Sequence, residues 1–475
     1  MQDPSIFVGE GLPVAFSSIS FLFYFLPLFF IIHYLIPARA KNVVLLAGSL
    51  FFYAWGEPRW ILLLLASILV TWLLGRAMRP EASAGRRRGL LILGLVFQLG
   101  LLVAVKYAGF FFGAFIDLPK LHLPLGVSFY TFHAISYLVD VYRQKTPPQK
   151  NLLRLGLYLA LFPKLVMGPI VPYHELEPAL AQRTIDAQDV SDGCFRFTIG
   201  LAKKALLADA LAGLVTGIWG DLASLTVLSA WLGLIGYALQ LYFDFSGYSD
   251  MAIGLGRMLG FRFPENFRYP YLCSSISDFW RRWHISLGSW FKEYLYFPLG
   301  GSRTGTLRTL RNLLLVWLAT GLWHGASWNY VLWGLYFGVL ICLEKLLAPR
   351  FRAHPRKGLL AGLYRPVCLL LAVLGWVLFR AEDLPAAGRY FACLFGGAAG
   401  ASAQARLYLH DFWPVLLLGA VGATPLCAKL AGRLGAKLQP GVRAAVQAVL
   451  VLALLACSTV WLLNGSFQSF VYFQF

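Results

Sequence analysis

The residue best placed to do chemistry is His324, in the stretch GLWHGASW at 321–328. Every residue from Leu313 to Trp323 is uncharged, so the imidazole closes a run that reads as membrane helix. An ionisable side chain at membrane depth faces a protein interior or a wet cavity, and is a functional candidate by default. Desolvation favours the neutral imidazole there, the form a general base needs. The other use for such a residue is a helix–helix hydrogen bond, worth about 1 kcal/mol. Gly321 and Gly325 flank the histidine, where glycine loosens a helix or admits close approach of another group.

A second histidine, His284, lies in ISDFWRRWHISLGSWFKEYLYFPLG at 276–300. At helical periodicity Asp278, Arg282, Ser286, Ser289 and Glu293 share one face, and Trp280, Trp283, Leu287, Phe291 and Tyr294 the other. This predicts one amphipathic helix in the membrane interface, ended by Pro298 and Gly300, with His284 on its aromatic side. That position suits a histidine hydrogen-bonded at the interface as well as one that touches substrate. A third polar cluster, QLYFDFSGYSD at 240–250, sets Asp244 and Asp250 beside an apolar run. Either aspartate could line an aqueous pocket, cap a following helix or play a structural part. No residue spacing suggests a metal, and no Ser–His–Asp constellation suggests a serine nucleophile.

These groups need a frame that lives in lipid. Of the 475 residues 59% are apolar and 13% charged, and the mean hydropathy is +0.66. A soluble chain of this length could not cover so much apolar surface. Apolar runs at Ser18–Ile36, Trp60–Gly75, Gly89–Phe112, Leu225–Phe245, Val331–Leu347, Val367–Phe379 and Ala444–Leu463 approach or reach bilayer-spanning length. Lipid admits helices or closed barrels, and the period-2 alternation of a barrel is absent. The expectation is an all-α, polytopic integral membrane protein of about eleven membrane helices plus interfacial ones.

The net charge of +19 sits in short loops between apolar runs, which is sorting of positive loops to the cytoplasm and not a nucleic-acid surface. Arg39 and Lys41, then Arg76, Arg79 and Arg86–Arg88, then Arg143 to Arg154, then 350–365 and 429–443 form the basic loops. With these inside, both chain ends lie outside. The stretch 163–225 mixes proline, charge and apolar residues, and its path does not follow from the sequence. The seven cysteines are scattered without metal or disulfide spacing. The first residues hold Asp3 and Glu10 and no basic region of a cleavable signal. No repeat or linker divides the chain, so 1–475 reads as one membrane domain with a tail at 466–475.

Together YFDFSGYSDMAIGLGRMLGFRFPENFRYPY at 242–271, SISDFWRRWHISLGSWFKEYLYFPLGG at 275–301 and GLWHGASWNYVLWGLYFG at 321–338 resemble the membrane-bound O-acyltransferase family. The likeness is to its bacterial alginate O-acetyltransferase-like branch, with teichoic-acid D-alanyl transferases as relatives. It extends to LLAGSLFFYAWGEPRW at 45–60 and WVLFRAEDL at 376–384, so it covers nearly the whole chain.

The resemblance implies a ring of helices around a central tunnel, in a bacterial cytoplasmic membrane. His324 matches the family's tunnel histidine and His284 its second one; Asp244, Asn266 and Trp323 fall among tunnel or support positions. It implies no bound cofactor, a thioester donor such as acetyl-CoA, and an extracellular acetyltransferase partner of the SGNH hydrolase type. The ending SFVYFQF, with Phe470, Tyr472 and Phe475, resembles an F-x-Y-x-x-F motif whose tyrosine carries the acyl group; without that resemblance Tyr472 reads as an aromatic-belt residue. D-alanyl transfer to teichoic acid is the alternative within the family. A transporter of lipid-linked sugar fits the topology, but gives no reason for the aromatic-histidine block.

Overall fold

The computed structural model describes residues 15–112, 123–303, 305–353, 359–464 and Phe470. The described residues form helices and turns, with no strand among them. Among the described residues five helices are long and apolar enough to cross a membrane: Ala84–Phe111, Val227–Met258, Trp328–Leu347, Leu363–Arg380 and Pro440–Asn464. Ala403–Gly422 and Leu426–Gly435, bent by 67°, make a sixth if read as one broken span, and Phe21–Leu35 and Ile61–Ala77 are shorter apolar helices. Only 6% of the apolar window of Pro440–Asn464 is buried, so that helix presents its side chains to lipid. The stretch 163–225 resolves into Tyr173–Ala181, Ala187–Ala202 and Asp209–Trp219, joined by tight turns and a π-helical segment at Lys203–Ala208.

The chain divides into two compact units, each with its own core. The first takes Met1–Leu201, Tyr248–Pro264 and Ser458–Gln474. Within it Ile61–Ala77, Ala84–Leu102 and Val127–Tyr142 pack side by side. Apolar surface gives lipid-embedded helices little reason to associate, so polar and small residues do that work. Ser67 Oγ donates to Gln98 Oε1 at 3.0 Å, and Gln98 Nε2 donates to Thr71 Oγ1 at 2.8 Å, latching the first two of these helices. Gly75 admits the ring of Tyr137, and Gly94 the side chain of Leu138.

The second unit takes Ala202–Gly247 and Glu265–Cys457. Its two central helices, Thr306–His324 and Trp328–Ala353, form a tight hairpin. A Cβ on Gly321 would sit 2.3 Å from the Tyr330 carbonyl oxygen, and one on Gly334 2.3 Å from that of Trp317. Of the two uses open to Gly321, close approach is the one realised.

Asp244 and Asp250 lie inside Val227–Met258 and cap no helix. Asp250 is held by Arg196, whose Nε and Nη2 donate at 2.8 and 2.6 Å. Asp244 accepts from the buried Lys204 ammonium at 2.8 Å, and Lys204 also reaches Asp209 at 2.7 Å. Removing one partner from a buried ion cluster leaves the others uncompensated, at about 3–5 kcal/mol. Lys204→Met is therefore expected to lower the melting temperature of the detergent-solubilised protein sharply. Adding Asp244→Leu to it should restore part of the loss; equal melting of the single variant and wild type would contradict this role for the triad.

Candidate active site

The expected single helix over 276–300 is broken. Helices Ile276–Arg282 and Ile285–Phe291 meet at His284, whose φ of +45° is left-handed. The periodicity misses this because an outside residue supplies the bonds that a continuous helix would have made for itself. Asn266 accepts from Ile285 N–H through its backbone carbonyl at 3.0 Å. Its side-chain oxygen accepts from the Ser286 N–H at 3.2 Å and the Ser286 hydroxyl at 3.0 Å, and lies 3.1 Å from His284 Nδ1. The helical face itself survives in part: Asp278 and Arg282 pair at 3.0 Å.

That geometry assigns the tautomer. A backbone N–H can only donate, so the Asn266 atom facing Ser286 is oxygen. The same oxygen then accepts from His284 Nδ1–H, which leaves the imidazole lone pair on Nε2. Burial pushes His284 down to about 3, so the ring is neutral at physiological pH.

His324 is the last residue of Thr306–His324 and stands at the elbow of the glycine hairpin, not within a continuing helix. Gly325 is extended, and Ser327 opens the next helix by accepting from Tyr330 N–H. The His324 ring is buried among Trp323, Trp333 and Phe379, with centroids at 4.9, 4.9 and 5.2 Å. Trp323 also lies against His284 at 6.1 Å, and Phe245 packs edge-on against His284 at 4.7 Å. The two histidines thus share one indole as a wall, no further apart than those two Trp323 distances combined.

Of the sequence candidates, His324, His284, Asn266 and Trp323 come together. Asp244, next in sequence to Phe245, is tied to Lys204. Tyr472 lies outside the described residues; Phe470, two positions before it, is buried against Tyr248, with centroids 5.0 Å apart. Among the described residues no His, Cys, Asp and Glu group could hold a metal.

Sequence reasoning missed Glu344. Its carboxylate accepts from the Ile276 N–H at 2.7 Å, the Ser277 N–H at 2.9 Å, the Ser277 hydroxyl at 2.5 Å and the Tyr364 hydroxyl at 2.7 Å. One anion thereby caps the helix that delivers His284. The available signal was an acid inside the apolar run 331–347, which lipid tolerates only when paired. Lys204 was missed in the same way.

The membrane-bound O-acyltransferase family matches residues 141–372, a range that includes both histidines. The chain is 43% identical over 396 residues to the probable alginate O-acetylase of Pseudomonas aeruginosa, covering 80% of this chain and 75% of that one. It is 36% identical over 413 residues to the peptidoglycan O-acetyltransferase of Helicobacter pylori, covering 78% of each. The teichoic acid D-alanyltransferase of Bacillus subtilis is 29% identical over 249 residues, 48% of this chain and 62% of that protein.

Glu344→Gln would aim an amide NH2 at two donors and remove the anion. Loss of a hydrogen bond to a charged group costs about 1.5–3 kcal/mol. If the cap holds His284 in register, kcat for acyl transfer should fall about tenfold or more, with KM for the donor little changed. An unchanged kcat in the folded variant would show that the cap does not govern His284.

Proposed function

The chain belongs to the membrane-bound O-acyltransferase family, and from that premise we propose that it passes an acetyl group across the bacterial cytoplasmic membrane for O-acetylation of a secreted or cell-wall polysaccharide. The observation that carries the mechanism is the pair of buried histidines that both contact Trp323. The donor is a cytoplasmic thioester, acetyl-CoA, which reaches His324 through a tunnel within about eleven membrane helices. His324 takes the proton from an acceptor hydroxyl. The oxygen attacks the thioester carbonyl, the C–S bond breaks, and the imidazolium returns the proton to the leaving thiolate. Base catalysis of this kind contributes about 10²–10⁴-fold, and exclusion of water protects the thioester from hydrolysis. His284, neutral with its lone pair on Nε2, orients the donor.

Tyr472 is the acceptor that relays the acetyl group outward, to a partner of the SGNH hydrolase type. D-alanyl transfer is the weaker reading, since the O-acetylating relatives match more of the chain at higher identity. Transport of a lipid-linked sugar is set aside by membership of an acyltransferase family.

His324→Ala should lower acetylation by about a hundredfold or more in a protein that still inserts and melts normally. Near-normal turnover would sink the mechanism. Tyr472→Phe keeps the ring and removes only the acceptor oxygen. Peptide mass spectrometry after incubation with acetyl-CoA should find an acetyl adduct on Tyr472, absent from both variants; full polymer acetylation by Tyr472→Phe would end the relay.

A further inference from the structure

An open pocket of about 690 Å³ lies where Ile61–Ala77 ends and Ala84–Leu102 begins. Arg76, Arg79 and Arg86 line it against one carboxylate, Glu81, together with Trp72 and Leu73. The Arg76 guanidinium stacks over the Trp72 ring at 4.9 Å, which fixes the direction of its N–H fork. The buried Trp72 Nε1–H has no acceptor among the described residues. The Ser67–Gln98–Thr71 hydrogen bonds clamp the two helices together, so the pocket is formed before anything enters it.

We propose that this pocket binds the head group of an anionic glycerophospholipid. Three guanidinium groups facing one carboxylate favour a head group with net negative charge over a zwitterionic one, and guanidinium forks match phosphate oxygens bidentately. The lipid tails have their own track. Leu62, Leu65, Leu69 and Leu73 are exposed at helical spacing on one face of Ile61–Ala77, and Leu73 also lines the pocket. Ile92, Leu93, Val96 and Leu99 are exposed along the neighbouring helix. These exposed leucines face the bilayer, so a membrane-anchored molecule can hold its tails along the stripe while its head group meets the arginines. That continuity from charged pocket to apolar stripe decides for a lipid.

The test uses the full chain in detergent, titrated with phosphatidylglycerol or phosphatidylcholine, with bound lipid counted by native mass spectrometry. Wild type should retain phosphatidylglycerol preferentially. Arg76→Gln/Arg79→Gln should lower that retention about tenfold, while Arg86, Arg87 and Arg88 keep the loop basic and the insertion unchanged. Glu81→Gln, a change at an exposed residue that carries no risk to folding, should raise it. Equal retention of the two lipids by wild type, or no response to Glu81→Gln, would overturn the proposal. Displacement of phosphatidylglycerol by acetyl-CoA would also overturn it, and would reassign the pocket to a soluble anion.

Discussion

A left-handed backbone at a residue other than glycine costs on the order of 1–3 kcal/mol, and His284 stays there because one amide oxygen collects what the turn directs inward. The side chain of Asn266 meets the Ser286 N–H, the Ser286 hydroxyl and His284 Nδ1, while its backbone carbonyl takes the Ile285 N–H. These bonds end one helix, start another and set the imidazole tautomer. Without them the aromatic block would continue as one amphipathic helix, and His284 would lie with its ring along the interface. Glu344 acts one helix earlier, fixing where that helix begins.

The second histidine is placed by the opposite device. Gly321 and Gly334 contribute an absence of side chain, so the backbones of two helices approach until carbonyl oxygens occupy the space of a Cβ. His324 sits at the elbow of that hairpin, and Trp333 and Phe379 close over it. Trp323 joins the two constructions, since both histidine rings contact it. An imidazole enclosed by rings is shielded from bulk water.

Two further sets of buried charges are held in clusters. Lys204 bridges Asp209 and Asp244, and Arg196 holds Asp250. The first cluster sits at a π-helical segment, where an extra residue per turn redirects a side chain inward. Such clusters add little net stability compared with apolar packing, but they forbid alternative registers, since any slip would strand a charge. The Lys204 cluster holds Asp244, next in sequence to Phe245, whose ring packs against His284.

Composition and apolar run length determined the all-helical membrane class, because lipid leaves the backbone no other way to satisfy its hydrogen bonds. The seven apolar runs all fall on helices. His324, His284, Asn266 and Trp323 were legible as candidate site residues, through an ionisable group in an uncharged run and through motifs that resemble a family, and the fold gathers them in one place. The break at His284, the tautomer, the cap by Glu344 and the Lys204 triad were not legible. Periodicity reports only which residues share a face when a helix continues; whether it continues is decided by donors and acceptors arriving from residues far away in the chain. Asn266 is 18 positions from His284, Glu344 is 68 from Ile276 and Lys204 is 40 from Asp244. Tertiary structure alone brings those partners together, and in an interior without water they are what its buried polar groups have to bond to.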